Sequence, residues 1–515
     1  MGKQSRTDYS ILNIATGLGG YALNTLLGLI CRMVFTRTLA ADYLGINGLF
    51  TNILSMLSLA EMGIGSAIVF ALYKPLAHND RDKIASLVKF YGQCYRIIGV
   101  LVGIVGICLM PFLNVLITQK PDISESLYLI YGLYLFNTAN TYFFSYRGSL
   151  LTAAQQNYLV TGLSYLVTII QSAVQMALLL LTHNYLAYLL TQTLGILIYN
   201  ITISCVAKRK YPYIVGNHIK PLEQEEKKGL VKNVRALVII KLSGMLVNQT
   251  DNIIITYFRG LKTVGYASNY TLLTSTLNTL ITQLFSGITA SVGNHNALET
   301  DDKKVELFSA INLANFWLFG WAAVGTFVVS TDIVRLMFGE GYALNLLIPF
   351  ALAVNFYMVG MQNAVWTYKN TLGLFRYGRY LLLVTAAINL VCSIWLGNLW
   401  GLFGIYIATA ISRLCTNVWY EPYAVFKYGF HRSVGAYYLR YLEFAIVLVV
   451  AGGVSWKVST FLTMGLIWKI IIEMIVCSIV FNFVFIICFH RGKEFSYLKE
   501  LVGRVLKKVV GLLKR

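Results

Sequence analysis

Charge is scarce in this sequence. Only 12% of its 515 residues are Asp, Glu, Lys or Arg, against 57% that are hydrophobic, whereas soluble domains carry about 25% charged residues. That deficit excludes an ordinary soluble enzyme or binding module. Metal-binding patterns are missing as well: the eight cysteines form no CxxC pair and the six histidines show no HxxxH spacing. The cysteines read as small apolar residues of the helices, and no metal or cofactor is expected. No GxxxxGK[ST] sequence occurs, so the chain has no P-loop of its own with which to hydrolyse nucleotide. Acidic residues are outnumbered by basic ones, 22 to 42.

What the sequence has is long apolar runs. Segments long enough to cross a bilayer as helices, roughly 20 residues each, recur at 11–38, 43–73, 90–117, 127–147, 158–182, 185–207, 236–258, 264–290, 305–331, 343–368, 380–397, 401–420, 441–458 and 467–490. The expected fold is therefore all-α, a polytopic membrane protein of about fourteen transmembrane helices. With the N-terminus inside, 32 of the 42 Lys and Arg fall in inner segments, seven in outer loops and three within spans. The positive-inside rule then places both termini in the cytoplasm. The net charge of +20 faces the anionic inner leaflet and calls for no nucleic acid. The first apolar run reads as a retained helix, not a signal peptide.

The inner connection 208–235 is charged, contains two prolines and separates six helices from six. An offset of 220 lays "ADYLGINGLFTNIL" (41–54) on "LKTVGYASNYTLLT" (261–274), pairing Gly45 with Gly265, and "RDKIASL" (81–87) on "DDKKVEL" (301–307). At an offset of 222, "SYRGSLL" (145–151) falls on "TYKNTLG" (367–373). This order of matches implies a parallel repeat: an N-terminal lobe at 1–207, a connecting loop at 208–235 and a second lobe at 236–440. The two lobes surround a central cavity. Two further helices occupy 441–490, and the basic stretch 491–515 has the pattern of an amphipathic helix on the inner leaflet, or of a partner-binding helix or frayed basic end.

An ionisable residue inside a membrane helix costs about 2.5–3.5 kcal/mol on insertion scales and marks a cavity or a partner. Few are present: Arg32 and Glu61 in the first half, and Lys241, Asp251 and Arg413 in the second, with Arg147 at an inner helix end. Asp251 lies in "NQTDNIII" (248–255), a polar interruption of an apolar run. The repeat places Asp251 and Asn252 opposite Cys31 and Arg32, so Arg32 and Asp251 are expected to face the cleft and pair across it. The alternatives are an ion pair that only fixes helix packing, or a neutral Asp251 hydrogen-bonded to Asn248. Glu61 stands either as a proton-relay group or as a packing partner of Lys241. Its neighbours Gly63, Gly65 and Ser66 allow close helix approach.

Several stretches carry a family resemblance: "YLGINGLFTNILSMLSLAEMGIGSAIVFALYKPLA" (43–77), "DNIIITYFRGLKTVGYASNYTLL" (251–273), "ASVGNHNA" (290–297) and "GLFGIYIATAISRLCTNVWYEPYAVFKYGF" (401–430). They resemble the bacterial polysaccharide transporters, Wzx-like flippases of the superfamily that also holds multidrug and toxin extrusion pumps and the lipid II flippase. The resemblance implies fourteen helices around a V-shaped cavity open alternately to each side. It implies a cargo of oligosaccharide on undecaprenyl pyrophosphate, moved from the inner to the outer leaflet of the cell membrane for capsule, exopolysaccharide or O-antigen assembly. It implies no enzyme activity. Arg32, Lys241, Arg413 and Arg147 are then the cations that would hold the pyrophosphate, since Arg and Lys make charge-assisted hydrogen bonds to it. Asp251, Glu61 and Asn248 would carry coupling or gating, with H+ or Na+ as the ion. A polysaccharide polymerase and glycosyltransferases are the expected protein partners. A cation-coupled drug exporter of the same superfamily predicts a more acidic cavity. A membrane polymerase or ligase predicts a large outer loop, and the longest here is 332–342. A structural or sporulation-type membrane factor of similar fold is a further alternative.

Overall fold

The computed structural model describes residues 6–57, 71–73, 75–76, 78–117, 121–154, 156–216, 219–286, 292, 299–374, 377–378 and 380–500, with the backbone alone at 6–19, 21–22, 116, 229–249 and 284. Every regular element among them is helical. A helix satisfies its own backbone groups, which a lipid environment demands. Eight of the described helices are long and apolar enough to cross a membrane.

Two compact units make up the chain, Met1–Gly265 and Tyr266–Arg515. The first holds α1 (Arg6–Thr38), α2 (Ala41–Leu57), α3 (Arg81–Leu109), α4 (Leu127–Tyr142), α5 (Tyr146–Ala153), α6 (Asn157–Thr182) and α7 (Tyr185–Lys210). It also takes the larger part of α8 (Gln224–Ser286). Asp80 starts α3 by accepting the Lys83 N–H at 3.0 Å, and Asn184 starts α7 by accepting that of Ala187 at 3.0 Å. These caps satisfy donors that a helix N-terminus leaves open. In this unit α1 packs on α6, α6 on α7, and α4 on both α3 and α7.

The sequence reads 236–258 and 264–290 as two spans with a short loop between. In the structure α8 runs through both, broken only at Gly260, whose φ of 78° and ψ of 169° suit glycine alone. One residue therefore does the work of the loop. The division between units falls at Gly265, beyond the polar connection 208–235, because residues 252–265 pack closely on α2. A methyl group on Gly45 would lie 2.1 Å from the Leu261 carbonyl oxygen, and one on Gly265 would lie 2.7 Å from the Ala41 carbonyl oxygen. The two glycines matched by the repeat offset thus lie against each other.

The second unit contains the end of α8, then α9 (Asp301–Phe338), α10 (Leu347–Thr371), α11 (Leu381–Trp400), α12 (Leu402–Cys415), α13 (Asn417–Gly429), α14 (Gly435–Ser459) and α15 (Leu466–Phe489). The apolar stretches of α9 and α10 are 67% and 72% buried, against 33% and 28% for α14 and α15, so α9 and α10 form the centre. Phe316 of α9 stacks on Phe444 of α14 at 4.2 Å between ring centroids. Polar groups also hold α15 to α9: Lys469 lies 2.7 Å from Asp332 and 3.6 Å from Glu473, and Arg335 lies 2.9 Å from Asp332. The last two spans are thus fixed to this unit by both core and charge. The expected span 401–420 is instead two helices, broken at Thr416. The Thr416 hydroxyl donates to the Ser412 carbonyl at 2.6 Å and stands 2.8 Å from Thr385 Oγ1. Of the tail 491–515, residues 493–500 are helical and 501–515 lie outside the described residues.

Candidate functional site

The expected site residues occupy several places. Asp251 and Asn252 sit half-buried on α8. Asn252 faces α2, where a methyl on Gly48 would come 3.7 Å from its Nδ2, and its carbonyl accepts the Thr256 hydroxyl at 2.7 Å. The polar stretch that includes Asp251 therefore borders a helix contact. Arg32 is half-buried on α1. Phe35, one turn on, meets the rings of Tyr185 and Tyr188 edge-on at 5.9 and 5.2 Å. Glu61 lies outside the described residues, as do the side chains of Lys241 and Asn248.

Arg147 donates to Ser204 Oγ at 2.6 Å and lies 4.9 Å from the Tyr146 ring centroid. It ties α5 to α7. Arg413 is buried in the last turn of α12, beside a polar seam that the sequence reading does not anticipate. In that seam Asn389 of α11 donates to Thr409 of α12 at 2.9 Å, and Thr385 donates to Asn417 at 3.2 Å. Asn and Thr side chains that bond across helices act as glue inside a membrane. The available signal was Thr385, Asn389 and Ser393 at helical spacing in an apolar run, which places them on one face.

A buried ion pair and a buried acid also escaped the sequence reading. Lys369 and Glu421 form an ion pair at 2.6 Å, with side chains only 13% and 5% exposed. Their separation of 52 residues leaves no local pattern to detect. Asp42 is buried in the first turn of α2, accepts the Asp122 N–H at 3.0 Å and lies 3.8 Å from Lys262. It joins the start of α2 to the segment just past the Gly260 break. Among the described residues no group of three or more His, Cys, Asp or Glu could hold a metal ion.

A family model described as "Polysaccharide biosynthesis protein" matches residues 12–293. The chain belongs to that family. One curated relative in sequence is an uncharacterized membrane protein, MJ1068, of Methanocaldococcus jannaschii, 23% identical over 500 residues, covering 90% of this chain and 92% of the relative. In fold, this polysaccharide biosynthesis protein is similar to the lipid II flippase MurJ. The TM-score is 0.66 at 13% identity, over 93% of this chain and 99% of that one. It is also similar to a multidrug resistance MATE family transporter of the MOP superfamily. There the TM-score is 0.63 at 13% identity, over 78% and 94% of the two chains. The resemblance read from the sequence and the all-helical fold are thereby shown. The family is that of polysaccharide biosynthesis proteins, and the fold is shared with the lipid II flippase MurJ and the MATE family transporter.

Proposed function

We propose that the protein moves an undecaprenyl-pyrophosphate-linked oligosaccharide from the inner to the outer leaflet of the cell membrane by alternating access. Both termini lie on the cytoplasmic side in this reading. What carries it is the meeting of a polysaccharide biosynthesis family with a flippase-type fold in one chain. Arg32, Lys241 and Arg413 attract the pyrophosphate, with Arg147 as a further cation. Charge-assisted hydrogen bonds to phosphate oxygens are strong in a low-dielectric setting. Asp251, with Glu61 and Asn248, responds to H+ or Na+ and biases the access state. Glycosyltransferases supply the cargo and a polymerase consumes it.

The test is deletion of the gene followed by lipid analysis of each leaflet. Undecaprenyl-linked oligosaccharide accumulates in the inner leaflet of the deletion strain, wild type clears it, and Arg32→Ala does not. A deletion strain with normal lipid distribution excludes the proposal. A charge swap examines the pair directly. Arg32→Asp or Asp251→Arg alone abolishes transport, and the two together restore part of it; no recovery in the double variant means that the residues do not pair. A cation-coupled drug exporter is the second reading, favoured by the similarity to the MATE family transporter. It predicts drug sensitivity of the deletion strain with unaltered lipid intermediates.

A further inference from the structure

A cavity of about 360 Å³ lies in the second unit among α9, α13, α14 and the chain just past α15. Polar, charged and aromatic side chains line it. Asn312 and Tyr437 line it, only 3% and 4% exposed, and Asn312 Oδ1 and the Tyr437 hydroxyl have no hydrogen-bond partner in the protein. Buried polar atoms of this kind are rare and costly unless something else satisfies them. Phe308, Phe426 and Tyr437 form a continuous aromatic wall, with ring centroids 5.4–5.9 Å apart. Arg440 bridges Glu443 at 2.7 Å and Glu494 at 3.1 Å. It is itself braced against the rings of Phe444 and Phe489. One cation and two carboxylates leave the site a net negative charge.

Unfilled acceptors, aromatic faces and surplus negative charge together select a cation with N–H donors. A bare phosphate is repelled. The depth of the cavity narrows the source. Its lining comes from the second to fourth turns of α9, the first three turns of α14, Phe426 of α13 and Glu494, five residues past the end of α15 at Phe489. Charged residues crowd that end of the three helices: Asp301, Lys303, Lys304, Arg432, Arg491 and Lys493. This is the level at which an apolar span gives way to lipid headgroups.

We infer that this cavity binds the primary ammonium headgroup of an aminophospholipid of the phosphatidylethanolamine type. The ammonium sits against Glu443 and Glu494 and donates to Asn312 Oδ1. The phosphate stays at the rim, where the exposed Arg491 and Lys493 shortly precede Glu494 in the chain. A trimethylammonium headgroup has no N–H to give and is the natural control.

The experiment is native mass spectrometry of the full-length protein in detergent with phosphatidylethanolamine, phosphatidylcholine and phosphatidylglycerol at equal concentration. Phosphatidylethanolamine adducts dominate in the wild type. Glu443→Gln with Glu494→Gln weakens them about tenfold and leaves phosphatidylglycerol binding unchanged. Asn312→Ala, which keeps both carboxylates and their bridge to Arg440, weakens the same adducts without altering the melting temperature of lipid-free protein. Equal retention of phosphatidylethanolamine and phosphatidylcholine overturns the inference, as does an adduct that survives both variants. Thermal protection by soluble glycerophosphoethanolamine equal to that by the lipid makes the ligand a soluble amine and overturns the lipid assignment.

Discussion

Lys369→Ala destabilises the protein by about 3–5 kcal/mol, the usual cost of leaving one partner of a buried ion pair alone. Glu421 is 4% exposed, and its side chain keeps the Lys369 ammonium 2.6 Å away. Without that ammonium the carboxylate is desolvated and uncompensated, and α10 loses its ion pair to α13. Replacing both residues by apolar ones of similar volume, Lys369→Met with Glu421→Leu, recovers most of the loss, because buried ion pairs often gain little over hydrophobic packing. Thermal unfolding in detergent reads both effects. A single variant with wild-type melting temperature means that the pair is hydrated and carries little energy.

Gly45→Val removes the proposed transport and lowers the folded yield. A methyl at Gly45 meets the Leu261 carbonyl carbon at 2.7 Å as well as its oxygen. Backbone atoms cannot rotate away, so α2 and the segment after Gly260 must separate, at about 1–3 kcal/mol or more for overpacking of this kind. Gly265→Val acts in the same way through the Ala41 carbonyl. Gly103, where an added methyl would meet no neighbouring element within 4 Å, supplies the control: Gly103→Ala keeps wild-type yield and the proposed transport. Cell-based complementation together with membrane abundance separates the outcomes. Full complementation by Gly45→Val at normal abundance rules out a need for the close contact.

The sequence made the apolar spans readable because helix length and hydropathy follow directly from bilayer thickness. It made the family readable through glycines and short polar turns spread along the chain. Gly45 and Gly265 show how far such a reading reaches. An offset comparison matched them, and the structure sets each against the other's helix. Boundaries fared less well where one residue changes the path of the chain. Gly260 replaces an expected loop by a kink, and Thr416 splits an expected span, since its side chain satisfies groups that the break frees. Hydropathy averaged over a window cannot register either event.

The candidate residues divide in the same way. Arg32, Asp251 and Arg413 were found because a charge in an apolar run stands out against its neighbours, whatever the fold. Lys369 and Glu421 were not, because each lies at the end of a run where charge is ordinary. Composition and hydropathy determined that this chain is an all-helical membrane protein, and the resemblance of stretches such as 43–77 and 401–430 pointed to its family. Tertiary structure alone decided which charges meet, that Arg147 spends its hydrogen bond on Ser204, and that Asn312, Tyr437 and Glu494 share one cavity. The reason is physical: hydropathy is a property of each segment, whereas ion pairs and cavities arise between segments far apart in the chain.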